Sequence, residues 1–118
     1  MATHIALGKE GEELAKSWLL KNGYELLHLN WRHSHYEIDI IAEKNNILHF
    51  IEVKARRSTR FGNPEESVSK KKIQNLMNAG EEFLYQFPKW KRVQYDVLSI
   101  IVKKNNQHEY FWIEDVYL

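Results

Sequence analysis

Three residues in the first half of the chain, Asp39, Glu52 and Lys54, have types and spacing suited to chemistry on a phosphate or a metal ion. Glu52 and Lys54 are two apart in a run rich in Ile, Val and Phe, so on a strand they share a face. Residues 36–43 and 47–54 both read as strands, and Asn45-Asn46 between them accepts the positive φ of a tight hairpin. A turn centred there sets Lys44 opposite Ile47, Asp39 opposite Glu52 and Glu37 opposite Lys54. Two carboxylates about 5 Å apart repel by roughly 3 kcal/mol at an effective dielectric of 20. A sheet holding such a pair needs a proton, a lysine or a bound cation to offset it.

The plain alternative is a solvated face of cross-strand ion pairs, each worth a few tenths of a kcal/mol. The apolar neighbours on both strands (Ile38, Ile40, Ile41; Phe50, Ile51, Val53) argue instead for a central, covered hairpin. Charges in such a place are usually functional or metal-bound.

Charge and composition narrow the chemistry. The chain has 118 residues with a formal net charge of +1. Residues 54–72, however, carry seven basic side chains (Lys54, Arg56, Arg57, Arg60, Lys70, Lys71, Lys72) against two acidic ones. Such a block suits phosphate binding, although many basic blocks are only solvated surface. The chain contains no cysteine, which excludes a disulfide scaffold, thiolate-ligated zinc or iron–sulfur, and thiol catalysis. The remaining oxygen ligands favour a hard cation, Mg²⁺ first and Mn²⁺ second. A divalent ion beside a basic block fits hydrolysis of a phosphodiester, with Lys54 handling the attacking water or the developing charge. Arg56, Arg57, Arg60 and Lys70 to Lys72 would then grip flanking phosphates. No apolar run reaches the roughly 20 residues of a membrane span, so a soluble cytoplasmic protein with no membrane partner is expected.

The positioning elements follow from periodicity. Leu7, Gly11, Leu14, Ala15, Trp18 and Leu19 mark one buried face of a helix over 5–21, with Thr3 as a possible cap and Asn22-Gly23 as the stop. A strand over 24–31 is weaker, because its alternation is imperfect. After a loop over 55–63, a second helix starts at Asn63-Pro64, Ser67 or Ser69 and runs through Ile73, Leu76, Met77, Gly80, Phe83, Leu84 and Phe87 to Pro88. Strands over 93–102 and 108–113 close the chain, with Asn105-Asn106 between them. The order αβββαββ predicts one small α/β domain, residues 1–118, built on a mixed sheet.

Longer motifs extend this pattern. Gly8-x-x-Gly11-Glu12-x-x-Ala15, Asn22-Gly23-Tyr24, Asn30-Trp31-Arg32, Glu37-Ile38-Asp39-Ile40-Ile41-Ala42, Phe50-Ile51-Glu52-Val53-Lys54-Ala55-Arg56, Phe61-Gly62, Val68 then Lys72, and Tyr95-Asp96-Val97 occur in this order. Over nearly the whole chain they resemble the YraN-like family of small predicted endonucleases. That family is similar to Holliday junction resolvases and belongs to the PD-(D/E)XK nuclease superfamily; here the motif lacks its proline. The resemblance implies a restriction-endonuclease-like core, a mixed sheet flanked by helices, with the site on its central hairpin.

Carried over by residue, it implies Asp39, Glu52 and the main-chain oxygen of Val53 as metal ligands and Lys54 as the catalytic lysine. Glu12 would reach the metal or its water from the first helix, and Lys72 would contact phosphate. By spacing alone Glu12 cannot be told from its neighbours Glu10 and Glu13. The chain departs from the family pattern at Tyr36, where Gly is usual, and at Gln94-Tyr95-Asp96 in place of Arg-Phe-Asp. Asp96, among strand-core neighbours, reads as structural.

The leading expectation is a Mg²⁺-dependent endonuclease acting on DNA ahead of RNA, branched DNA included, as a homodimer if it resolves junctions. A non-catalytic nucleic-acid-binding module is the alternative, and a protein-interaction subunit with residual carboxylates the third. Trp90, flanked by Lys89 and Lys91, is a packed loop anchor before it is a base-stacking residue, and the six histidines show no zinc spacing.

Overall fold

The computed structural model describes residues 4–57 and 69–116. The expected Thr3 cap, the Phe61-Gly62 motif, Arg60 and the helix starts at Asn63 and Ser67 lie outside the described residues. The remaining elements occur in the expected order: α1 (His4–Lys21), β1 (Glu25–His33), β2 (Tyr36–Lys44), β3 (Ile47–Arg56), α2 (Lys70–Gln86), β4 (Val93–Ile101) and β5 (Glu109–Ile113). The sheet has five strands in the order β1-β2-β3-β4-β5. β3 and β4 pair in parallel, and the other neighbours pair antiparallel. This is an α/β fold on a mixed sheet.

Local chemistry accounts for the ends of the elements. α1 stops where Gly23 takes φ 87°, with the Tyr24 N–H donating 3.0 Å to the Leu19 carbonyl. Asn45 and Asn46 both take positive φ, 54° and 64°, which is the twist a two-residue hairpin turn requires. Ser69 caps α2, its hydroxyl accepting 3.2 Å from the Lys72 N–H.

The helices cover opposite faces of the sheet. Ala15 and Leu19 of α1 pack on Ile40, Ala42, Ile51, Leu98 and Ile100. Leu76, Ala79 and Phe83 of α2 pack on Ile38, Ile41, Leu48, Phe50 and Tyr95. Each fully buried aliphatic or aromatic side chain contributes about 1.5–3 kcal/mol, so the two layers together fix the sheet between them. Phe87 falls off the expected stripe: it is the C-cap of α2 and remains exposed, its ring tilted against Phe83 with centroids 4.7 Å apart. Trp90 packs against the α2-side core as a loop anchor.

Gly11 sets how closely α1 approaches the sheet. A Cβ there would stand 2.5 Å from the Ala55 Cβ on β3, a rigid neighbour that cannot swing away. Gly11→Ala is therefore expected to lower stability, since about 1–3 kcal/mol of overpacking outweighs the gain of up to ~1 kcal/mol in helix propensity. Urea unfolding measures this. An unchanged or raised midpoint would show that α1 can lift from β3 without cost.

Candidate active site

The site lies where the two central strands part. β2 and β3 pair from Lys44↔Ile47 to Ile40↔Ile51, the register expected from the Asn45-Asn46 turn. Beyond that point β2 continues beside β1 as far as Tyr36↔His33, while β3 continues beside β4 to Arg56↔Ile101. The expected ladder pairs Asp39–Glu52 and Glu37–Lys54 are therefore not formed. Glu37 turns instead to Arg32 on β1, 3.7 Å away.

The parting has a backbone cause. Ile40 and Ala42 pack on the α1 side, but Ile38 and Ile41 both pack on the α2 side, so the strand alternation breaks at Asp39. Asn30 sits between the pairs Leu29↔Ile40 and Trp31↔Ile38, opposite Asp39, and takes φ 53°. A register shift between Leu26 and His28 precedes it. These two irregularities explain why the alternation of β1 was imperfect in the sequence. The Val53 N–H, freed from the ladder by the fork, donates 2.8 Å to Asp39 Oδ2. A side-chain carboxylate thus takes the place of a main-chain acceptor and ties the two strands together across the gap.

Two clefts open from the fork, and Asp39 lines both. The first, about 470 Å³, lies toward α2 and holds Asp39, Glu52 and Lys72. The second, about 560 Å³, lies toward α1 and holds Glu12, Arg32, Lys54 and Lys9. Glu12 is distinguished from its neighbours by partner: Glu10 faces Arg57 at 3.8 Å, Glu13 pairs with Lys16 at 2.7 Å, and Glu12 lies near enough to raise the proton affinity of Asp39.

The electrostatics follow from this crowding. Burial pushes the Asp39 carboxyl up to about 6; the Val53 hydrogen bond opposes the rise, and Glu52, Glu12 and Glu37 add to it. Burial also raises Glu52, against the pull of Lys72 and then Lys54. Contact with the Lys72 amine, followed by burial, holds the Lys54 ammonium below the usual lysine range, with Glu52 and Asp39 pulling the other way. Among the described residues, no three acidic or histidine side chains close into a cage for a cation. An ion between Asp39 and Glu52 would complete its shell with water, a donor set that suits Mg²⁺.

The predicted phosphate-contact residues separate. Lys72 joins the carboxylates, whereas Lys70 and Lys71 are exposed at the start of α2, outside both clefts. Arg56 ends β3 half-buried, and Arg57 follows it exposed. Val53 lies on the wall of the second cleft. Arg32 and Lys9 were missed as site cations. A turn at Ser34-His35 would have revealed Arg32, since it sets Arg32 opposite Glu37, two residues from Asp39. Asp96 lies in neither cleft; it is buried under His49, Gln94 and the Asp115 N–H. Among the described residues no helix is long and apolar enough to cross a membrane.

Known proteins share the fold and the sequence pattern of this chain. The structure is similar to that of Hjc, a Holliday junction resolvase from the archaeal hyperthermophile Archaeoglobus fulgidus, with a TM-score of 0.53 over 87% of this chain and 74% of that one. At 18% identity this is a likeness of fold. Sequence relatives are closer. A UPF0102 protein of Phocaeicola vulgatus is 42% identical over 88% of this chain and 86% of its own length. One from Syntrophomonas wolfei is 45% identical over 82% and 85%, and one from Chloroherpeton thalassium 35% identical over 99% and 97%. The model of the uncharacterised protein family UPF0102 matches residues 11–100, a span that holds Glu12, the fork and α2. By that match and these relatives, the chain belongs to UPF0102, the YraN-like family that its motifs indicate.

Proposed function

We propose that the chain is a Mg²⁺-dependent endonuclease that hydrolyses phosphodiester bonds of DNA, branched DNA included. The observation that carries this reading is the half-buried Asp39, raised to about 6 beside Glu52 at the open end of a strand fork. A carboxylate crowded by others in a cleft costs stability, and a divalent cation is a partner that such oxygen donors fit. Fold likeness to a resolvase supports the class of reaction without fixing it.

In this reading Asp39, Glu52 and the Val53 carbonyl hold the ion, and Glu12 orients water from the α1 side. When bound, Mg²⁺ (or Mn²⁺) supplies Lewis-acid polarisation of the scissile phosphate. Lys54, held below the usual lysine range, takes the proton of the attacking water at Nζ. Lys72 steadies the phosphate as charge develops on its oxygens. Arg56, Arg57, Arg60, Lys70 and Lys71, together with Arg32 and Lys9, guide the flanking backbone. Cutting a junction symmetrically takes two such sites, hence a homodimer.

The test is a panel of DNA substrates (duplex, single strand, flap and four-way junction) incubated with Mg²⁺, Mn²⁺ or EDTA. Cleavage of at least one with either metal and of none in EDTA is the expected result. Tight, salt-sensitive binding that EDTA does not change, with no cleavage of any substrate, would replace the nuclease with a binding module.

A further inference from the structure

The cleft on the α2 side is larger than the carboxylate pair needs, and its chemistry changes from one end to the other. Asp39, Glu52 and Lys72 occupy the charged end. At the far end stand Tyr36 and His35 from the β1–β2 hairpin, with Leu76, Asn75 and Asn78 from α2. The two rings lie against each other, centroids 4.2 Å apart and 33° from parallel, with Tyr36 braced on the α2-side core and His35 exposed. Leu76 is buried and supplies an apolar floor.

Asn75 and Asn78 are exposed, one turn apart on the same helix. Asparagine is a poor helix former, and two of them facing one cleft sacrifice propensity. Gln74 Nε2 donates 2.9 Å to Asn78 Oδ1, which leaves the Asn78 amide hydrogens directed elsewhere. Carboxamides offer a donor and an acceptor side by side, the pattern that matches the edge of a nucleobase.

We propose that this cleft is a nucleotide subsite: an unpaired base stacks against the ring pair that Tyr36 forms with His35, its edge toward Asn75 and Asn78, while its phosphate reaches Asp39, Glu52 and Lys72. The inference rests on the nuclease reading and specifies its substrate: nucleic acid with at least one unstacked nucleotide next to the scissile bond. A base held this way cannot remain inside a continuous duplex, because its face is taken by the ring pair and its pairing edge by asparagine. A blunt, fully paired helix would leave the far end of the cleft empty.

The experiment measures binding by fluorescence anisotropy to a short blunt DNA duplex and to the same duplex with one unpaired nucleotide at its centre. Ca²⁺ replaces Mg²⁺ so that the strands stay whole. The unpaired probe is expected to bind about tenfold more tightly, equivalent to ~1.4 kcal/mol. Tyr36→Leu, which keeps an apolar side chain on the core, should bring the two probes to parity, and Tyr36→Trp should retain the preference. The double variant Asn75→Ala, Asn78→Ala, at exposed helix positions where folding is not at risk, should also lose it. Equal binding of both probes by the wild type, or a preference that survives in Tyr36→Leu and in the double variant, overturns the subsite and leaves the nuclease standing. Failure to bind either probe, with no cleavage in the substrate panel, overturns both.

Discussion

Asp39→Asn is expected to abolish metal-dependent cleavage and, at neutral pH in EDTA, to make the protein more stable. Loss of a charged ligand at the reacting phosphate costs on the order of 10²–10³-fold in rate or more. The stability gain comes from the same carboxylate. Asp39 titrates near 6 in the folded chain against an ordinary 3.8, because burial and three neighbouring carboxylates disfavour its charge. A raised carboxyl pKa means that the folded state binds the proton more tightly than the unfolded one. Its contribution is fully present below about 3.8 and is lost as pH rises through about 6. The loss amounts to about 3 kcal/mol, taking 1.36 kcal/mol per tenfold change in proton affinity.

Asparagine keeps an oxygen for the Val53 N–H and carries no charge, so it avoids that loss. Thermal unfolding of the two proteins should differ by roughly 10 °C at pH 8 and converge near pH 4. Added Mg²⁺ should raise the midpoint of the wild type and leave the variant where it was, narrowing the gap. A variant that melts below the wild type at pH 8 without metal would contradict the reading of Asp39 as a half-buried charge crowded by other carboxylates. Cleavage that survives the substitution would remove Asp39 from the site.

The elements behind this prediction were legible to different degrees. Asn45-Asn46 fixed the β2–β3 register correctly, because a two-residue turn dictates pairing and the apolar runs beside it agree. The register alone suggested that Asp39 faces Glu52 across a continuous ladder. The fork between them depends on Asn30 at positive φ and on a shift at the other end of β1, and nothing in the local pattern around Asp39 encodes either. Lys72 could be placed on α2 by its cap at Ser69, but its contact with Lys54 joins an antiparallel hairpin to a crossover helix. Contacts of that kind come from how layers stack, which a one-dimensional period does not carry. The two faces of the sheet were readable as apolar stripes; the break in β2 that puts Ile38 and Ile41 on one face was not.

The parallel β3–β4 register has no turn to announce it, and it sets His49 beside Gln94 and Ile51 beside Asp96. Asp96 is fully buried on the α1 side of the sheet. His49 Nδ1 donates 2.7 Å to one of its oxygens; Gln94 Nε2 and the Asp115 N–H donate 2.8 and 2.9 Å to the other. The carboxylate can only accept, so the His49 hydrogen is on Nδ1, with the ring edge-on to Tyr24 at 5.0 Å. Together with the Val116 N–H on the Tyr95 carbonyl at 2.8 Å, these bonds strap the segment after β5 to the start of β4. Asp96→Ala strands three donors and is expected to cost about 3–5 kcal/mol, read as a lower urea midpoint. Replacing His49 and Asp96 together with apolar residues, His49→Phe with Asp96→Leu, should recover part of the loss, because the ring then leaves no stranded buried donor. A double variant no better than Asp96→Ala would place the cost in lost packing and not in the pair. The opposite signs at Asp39 and Asp96 have one physical origin. Asp96 has three donors and no acid beside it in the bonds it makes, whereas Asp39 has one main-chain donor and three carboxylates pressing on it. A buried acid supplied with donors serves the fold; one crowded by other carboxylates costs it.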